Sequence, residues 1–321
     1  MKIGFVGLGN VGSKLAGSLL RNGYAVMVRD LNDVFVADFV ARGATAADTP
    51  KQLALSCDLV ITCLPSPAAC SAVMEGEEGV VAGLSEGKIW LEMSTTDESE
   101  IRRIGDLVKA QGAQPVDCPV SGGCHRADTG NISIFAGCSR DTFERALPIL
   151  TTLGRRVLHT GELGTASKLK VVTNYLATAH LVALSEALTA CKVMDLDMNV
   201  SYEAIKASSG NSFVHETESQ VILNGSRDIN FTVDLVLKDV GLFNTLTQRE
   251  GMQLDLAPLL VDIFSQAQAE WGPRERSPNI IRRYEEPMGV KVLGSGFPAD
   301  MIDDEPEEVG YELMAKGRQD G

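Results

Sequence analysis

Ile3-Gly4-Phe5-Val6 runs straight into Gly7-Leu8-Gly9-Asn10-Val11-Gly12, and a helical stretch, Ser13 to Asn22, follows. A strand, a glycine loop at this spacing and a helix together form a βα turn suited to a dinucleotide pyrophosphate. Gly7 permits the tight turn, Gly9 lets a phosphate approach the backbone, and Gly12 lets the helix pack closely. Leu8, Asn10 and Val11 complete the loop. The helix start then offers N–H groups and the positive end of its dipole.

The same alternation continues to about residue 160. Short apolar runs at Ala25–Val28, Leu59–Cys63, Ile89–Glu92, Gln114–Asp117, Ile132–Ala136 and Arg156–His159 are separated by helical stretches. This predicts a doubly wound α/β domain of Rossmann type, a parallel sheet with helices on both faces. The second run ends at Arg29-Asp30, and Asp30 lies 18 residues past Gly12. A carboxylate there accepts ribose hydroxyls and repels a 2′-phosphate, so NAD is favoured over NADP as cofactor. Leu64-Pro65-Ser66-Pro67 and Ser94-Thr95-Thr96 close two further strands, which makes Leu64, Pro65 and Thr95 candidates for cofactor contact.

The texture changes near Gly164. From Thr165 to Ser209 there is neither Gly nor Pro, and Leu169, Val172, Leu176, Ala183 and Ala187 recur at helical spacing. A helix of roughly 30 residues would reach about 45 Å and would join two domains. Val200–Ser208, Phe213–Leu223, Thr232–Glu250 and Ala257–Trp271 read as further helices. The expected organisation is a nucleotide-binding domain over 1–163, an all-α substrate and oligomerisation domain over 164–286, and an acidic C-terminal extension over 287–321. Ser277-Pro278 reads as a helix start, and the arginines from Arg274 to Arg283 as a solvated face. Asp303-Asp304-Glu305-Pro306-Glu307-Glu308 reads as a solvated, partly disordered tail.

A net charge of −14 argues against nucleic acid and acidic membranes as partners. The seven cysteines include no CxxC pair and read as buried reduced thiols. The four histidines have no ligand spacing, so no metal is expected. With no signal-peptide pattern and no run of about 18 apolar residues, the expected location is cytoplasmic.

Taken together, these motifs resemble the 3-hydroxyisobutyrate dehydrogenase-like family, the β-hydroxyacid dehydrogenases related to 6-phosphogluconate dehydrogenase. The resemblance runs from Met1 to about Glu286. It rests on the glycine loop, the Leu64–Pro67 turn, Asp117-Cys118-Pro119-Val120-Ser121-Gly122-Gly123, Lys170 with Asn174, and Lys238-Asp239. It implies that Ser121, Gly122 and Gly123 hold a substrate carboxylate, that Lys170 is the catalytic acid/base, and that Asn174 orients the substrate. It implies nicotinamide-side contacts from Thr95 and Lys238, a small anionic hydroxy acid or semialdehyde as substrate, and a homo-dimer or homo-tetramer. The chain departs from the family pattern at Thr173 (for Asn), Ala166 (for Gly) and Phe213 (for Trp), and in its extended C-terminus.

The residues suit this chemistry. Alcohol oxidation removes a hydride from carbon and a proton from oxygen, so a base is needed at the hydroxyl. No histidine lies in these motifs, whereas a lysine can serve. Lys170 and Asn174 are four apart and share a helix face. Such a site belongs between the carboxyl edge of the sheet and the long helix. The alternatives are an imine reductase, which in this group generally lacks the lysine, and a non-catalytic dinucleotide-binding module.

Overall fold

Aliphatic and β-branched runs bounded by Gly, Pro and polar residues build a single sheet in the computed structural model, which describes residues 1–317. Its strands are β1 (Lys2–Val6), β2 (Ala25–Arg29), β3 (Thr45–Ala46), β4 (Leu59–Thr62), β5 (Ile89–Glu92), β6 (Gln114–Asp117), β7 (Val120–Ser121), β8 (Ser133–Gly137), β9 (Arg156–Gly161) and β10 (Tyr311–Glu312). Their order is β10-β9-β8-β6-β5-β4-β1-β2-β3, with β7 paired to β8. The winding reverses between β1 and β4, which leaves a crevice at their carboxyl ends.

The helices of the sheet region are α1 (Gly12–Arg21), α2 (Asp33–Ala41), α3 (Pro50–Ser56), α4 (Pro67–Met74), α5 (Glu98–Ala110), α6 (Gly123–Thr129) and α7 (Arg140–Leu153). Side chains alternate between two cores. Ile3, Phe5, Leu59, Ile61, Ile89 and Leu91 enter one, while Val6, Val60 and Trp90 enter the other. Because both faces of these strands are buried, they read in sequence as nearly unbroken apolar runs.

The 29-residue α8 (Thr165–Val193) follows, then α9 (Met198–Lys206), α10 (Phe213–Asn224), α11 (Val233–Arg249), α12 (Leu256–Trp271) and α13 (Arg282–Met288). The chain divides into two units. One is Met1–Lys170 with the segment beginning at Asp303, and the other is Val171–Ile302, so the boundary falls inside α8. In the helical unit Leu181, Leu188, Ile222, Val236, Leu260 and Phe264 form the core, and Tyr175 stacks on Phe243 at 4.2 Å. A doubly wound sheet followed by a helical unit is the fold class the sequence predicts.

Two expectations are corrected, and one open point is settled. First, β8 runs antiparallel to β6, pairing through Asp117 and Gly137. A parallel return needs a crossover helix, and this connection spends its residues on β7, which folds back onto β8, and on the seven-residue α6. The open point is which face α8 turns to the core. Leu169 and Leu176 are 40% and 46% exposed, and Ala183 and Ala187 are also exposed, while Val171, Leu181, Val182, Leu184 and Leu188 are buried. By length and composition α8 would suffice to cross a membrane, with a mean hydropathy of 1.2 over its most apolar window. A helix apolar on so many sides carries a clear period but an ambiguous phase.

Second, the acidic stretch is solvated at Asp304 and from Pro306 to Glu308, but it is anchored and not a free tail. The Asp303 side chain is 2% exposed, and β10 adds a parallel strand beside β9, with Tyr311 opposite Arg156 and Glu312 opposite Val157. Its carboxylates meet Arg126, Arg140, Arg155 and Arg156. A run of acidic residues reads as a free tail only while these partners, well over a hundred positions away, are out of view. Among the described residues none of the seven cysteines is joined in a disulfide, and four of them are buried.

Candidate active site

The glycine loop has the geometry its spacing predicts. Gly7 has φ +100°, and a side chain there would strike the Cys63 carbonyl oxygen at 2.3 Å. A Cβ on Gly12 would come within 2.0 Å of the Gly7 oxygen, whereas one on Gly9 would meet nothing within 4 Å. The loop therefore excludes side chains where it must close and leaves open space at Gly9. The N-cap position of α1, Val11, supplies no side-chain cap, and the first turn carries no acidic residue. By contrast α2, α3, α4, α5 and α7 all start with a side-chain cap. A cleft of about 500 Å³ opens beside the loop, lined by Leu8, Gly9, Asn10, Ser13, Phe35 and Asp38 among others. An uncapped helix start under a glycine cradle fits a dinucleotide pyrophosphate.

Asp30 stands at the end of β2 and binds the loop itself. Its carboxylate accepts from the Leu8 N–H at 2.6 Å and from the Asn32 N–H at 2.8 Å. A carboxylate has about four lone-pair sites, so acceptor capacity remains for hydroxyls.

The turns after β4 and β5 are tied together. Leu64 N–H donates to Ser94 Oγ at 2.7 Å, and Ser94 N–H donates to the Glu92 carboxylate at 2.8 Å. That carboxylate, fully buried, also accepts from the Thr62 hydroxyl and from Cys70 Sγ. Burial pushes the Glu92 carboxyl above its ordinary range. Pro65 is exposed in its turn, Thr95 is half-buried, and the Thr96 hydroxyl is buried with no hydrogen-bond partner among the described residues. Sequence reasoning found the two turns but missed Glu92, which holds them in register. A carboxylate inside a buried strand was the available signal.

The segment after β6 leads from a buried carboxylate to a glycine turn. Asp117 accepts from the Gly164 N–H and the Ser167 N–H, each at 2.8 Å, and so caps the start of α8 from another element. Burial pushes its carboxyl up to about 7, against the pull of these two donors. Ser121 is pinned opposite Ser133 by the β7–β8 pairing, and Gly122 and Gly123 have φ of +130° and +88°. Lys170 follows Ser167 by one turn of α8 and is 7% exposed. Lys168, which lies on another face, pairs with Glu98.

In the helical unit Asn174 and Lys238 converge on one buried carboxylate. The Asn174 amide donates to Asp239, and Lys238 Nζ lies 3.0 Å from the same group. Asp239 was noticed in sequence only as a neighbour of Lys238, because a 65-residue separation hides the contact. Asn174 lies four residues beyond Lys170 on α8. The arginines from Arg274 onward have local partners: Arg274 pairs with Asp234, Arg276 with Asp228, and Arg282 lies over the Trp271 ring.

Two family models match the chain. One, described as the NAD binding domain of 6-phosphogluconate dehydrogenase, covers residues 2–161. The other, described as NAD-binding of NADP-dependent 3-hydroxyisobutyrate dehydrogenase, covers residues 164–284. The chain is 32% identical to 2-(hydroxymethyl)glutarate dehydrogenase of Eubacterium barkeri over 92% of its own length and 98% of that protein's. It is 31% identical to 3-hydroxyisobutyrate dehydrogenase of Pseudomonas aeruginosa over 84% and 93% of the two chains. The crystal structure of 3-hydroxyisobutyrate dehydrogenase from Salmonella typhimurium superposes with a TM-score of 0.80 at 27% identity, covering 88% of this chain and 99% of that one.

Proposed function

The chain belongs to the 3-hydroxyisobutyrate dehydrogenase-like family of β-hydroxyacid dehydrogenases, oxidoreductases of CH–OH groups, and from that premise we propose that it oxidises a small 3-hydroxy acid with NAD, or reduces the matching semialdehyde, with Lys170 as general acid/base. The observation that carries this reading is the burial of Lys170 one turn beyond a helix start fixed by Asp117. The same strand end leads directly into the Ser121–Gly123 turn. Lysine is seldom this deeply buried, so its position inside the fold asks for a role.

In this reading the Gly7–Gly12 loop holds the cofactor pyrophosphate and Asp30 its ribose. The turns at Leu64-Pro65 and Thr95, with Lys238, attend the nicotinamide end. When bound, that ring supplies the acceptor or donor for a hydride. The backbone at Ser121, Gly122 and Gly123 holds the substrate carboxylate, because glycines at positive φ expose N–H groups without side-chain obstruction. Lys170 Nζ takes the hydroxyl proton as oxidation proceeds and returns it in the reverse direction. Asn174, its amide oriented by Asp239, steadies the substrate.

Which small hydroxy acid is used is tested by a panel that includes 3-hydroxyisobutyrate, threonate, hydroxybutyrate and sulfonate analogues, with NAD reduction as the readout. Cyclic imines in the same panel test the alternative imine reductase reading. No turnover of any member despite tight NAD binding would withdraw the proposal.

The cofactor preference has its own test. Asp30→Ala removes the charge facing a 2′-phosphate and should lower the NAD:NADP ratio of kcat/KM at least tenfold, or ~1.4 kcal/mol. A wild type that already favours NADP would show the role given to Asp30 to be wrong. We also propose a homo-oligomer, supported by the exposed apolar positions of α8 and tested by sedimentation velocity. A monomer at micromolar concentration would contradict it.

A further inference from the structure

The second family model ends at residue 284, and the relatives above are matched over nearly their full lengths by about nine-tenths of this chain or less. The segment from Asp303 onward thus lies beyond the matched family model, yet it is built into the sheet unit. Tyr311 N–H donates to the Arg155 oxygen at 2.9 Å, and Leu313 N–H to the Val157 oxygen at 2.8 Å. Gly310 passes so close to α7 that a Cβ would fall 2.0 Å from the Gly154 oxygen, so the chain lies flat on this edge. Arg140 holds Glu312 with two nitrogens, at 2.6 and 3.0 Å.

The other end of the segment reaches the element behind the candidate substrate turn. Asp303 accepts from the Thr129 hydroxyl and from Asn131 Nδ2 at 2.7 Å, and the same Asn131 amide donates to the Glu305 backbone oxygen at 2.9 Å. Burial acts to raise the Asp303 carboxyl, but these hydrogen bonds and the Arg126 charge hold it below the ordinary range, so it is anionic at neutral pH. Arg126, on α6, lies 3.0 Å from Glu305 and 3.8 Å from Asp303. Its Cδ sits 3.2 Å from where a side chain on Gly122 would begin. The Arg126 stem therefore lies against the glycine turn while its head is gripped by the C-terminal segment.

We infer that residues 303–313 are an intramolecular strap that sets the Ser121–Gly123 turn through Arg126, making Arg126 and Asp303 positioning residues for substrate binding. The inference rests on the proposal that this turn holds the substrate carboxylate. A strap that only covered the β9 edge would need the β10 pairing alone. The buried Asp303 cluster lies instead on α6 and the loop after it, where it restrains the two residues that follow Ser121.

The test uses the full chain with Asp303→Ala and Glu305→Ala together, and a chain ending at Ile302 with and without a synthetic peptide of residues 303–317. In the double variant KM for the hydroxy acid should rise about tenfold, with kcat and the Kd for NAD within about twofold. Amide exchange over 121–131 should quicken, and the peptide added to the truncated chain should reverse both changes. A lower Tm with unchanged KM and unchanged exchange at 121–131 would reduce the strap to an edge cover and overturn the inference. If the wild-type chain turns over no hydroxy acid, the proposed function fails, and the exchange measurement still decides whether the strap restrains the turn.

Discussion

Lys170→Ala is expected to lower kcat by about 10²–10⁴ while the Kd for NAD stays within a few-fold of wild type. The size follows from what the variant loses. The proton on the substrate hydroxyl then has no positioned acceptor, and bulk water is a poor base from which the buried position of Lys170 is largely screened. Lys170→Arg separates proton transfer from charge. A guanidinium keeps the positive charge but cannot release its proton in a protein, so the arginine variant should be nearly as slow as the alanine one. Turnover close to wild type in either variant would remove the acid/base assignment, and selective recovery in the arginine variant would show that charge alone is used. Direction of reaction supplies a further check. Oxidation needs a proton acceptor at the hydroxyl and reduction a proton donor, so both directions should slow together when the lysine is lost.

What could be read in the sequence depended on how local the physics was. The strands around Phe5, Ile61 and Leu91 were legible because burial on both faces makes a continuous apolar run. The glycine loop was legible because Gly7 and Gly12 answer steric demands within a few residues of themselves. The extent of α8 was legible from the absence of Gly and Pro, but its orientation was not. Leu169, Leu176, Ala183 and Ala187 recur at helical spacing as regularly as the buried Leu181, Leu184 and Leu188, so only the packed structure tells the two faces apart. Longer-range features left less trace. The grip of Asp239 on Asn174 spans 65 residues, that of Asp117 on the start of α8 about 50, and that of Asp303 on Asn131 over 170. In each case one carboxylate meets donors that no pattern of spacing connects to it, and the anchoring of the acidic tail went unread for the same reason.

Asp117 carries the second large effect. Asp117→Asn should destabilise the sheet unit by ~1–3 kcal/mol, because the amide keeps one acceptor but turns an NH₂ toward either the Gly164 or the Ser167 N–H, leaving a buried donor unmet. Catalysis should fall with it, since Ser167 precedes Lys170 by one helical turn and a misplaced base loses rate steeply. The loss should appear in kcat with little change in the Kd for NAD, and Asp117→Glu should not restore it, because the longer arm displaces the oxygens from both donors. The pH dependence is distinctive. Burial raises this carboxyl from an ordinary 3.8 to about 7, so between those values the folded chain binds a proton that the unfolded chain has released. Wild-type stability from this group is therefore fully present below about pH 4, declines as pH rises to about 7, and is level beyond that. The asparagine variant has no such proton. In urea denaturation at fixed pH values, its deficit relative to wild type should be largest near pH 4 and should narrow toward pH 7. A deficit that stayed constant, or widened as pH rose, would mean that Asp117 enters the fold fully ionised, and that the cap at the start of α8 is a permanent charge rather than a proton-linked one.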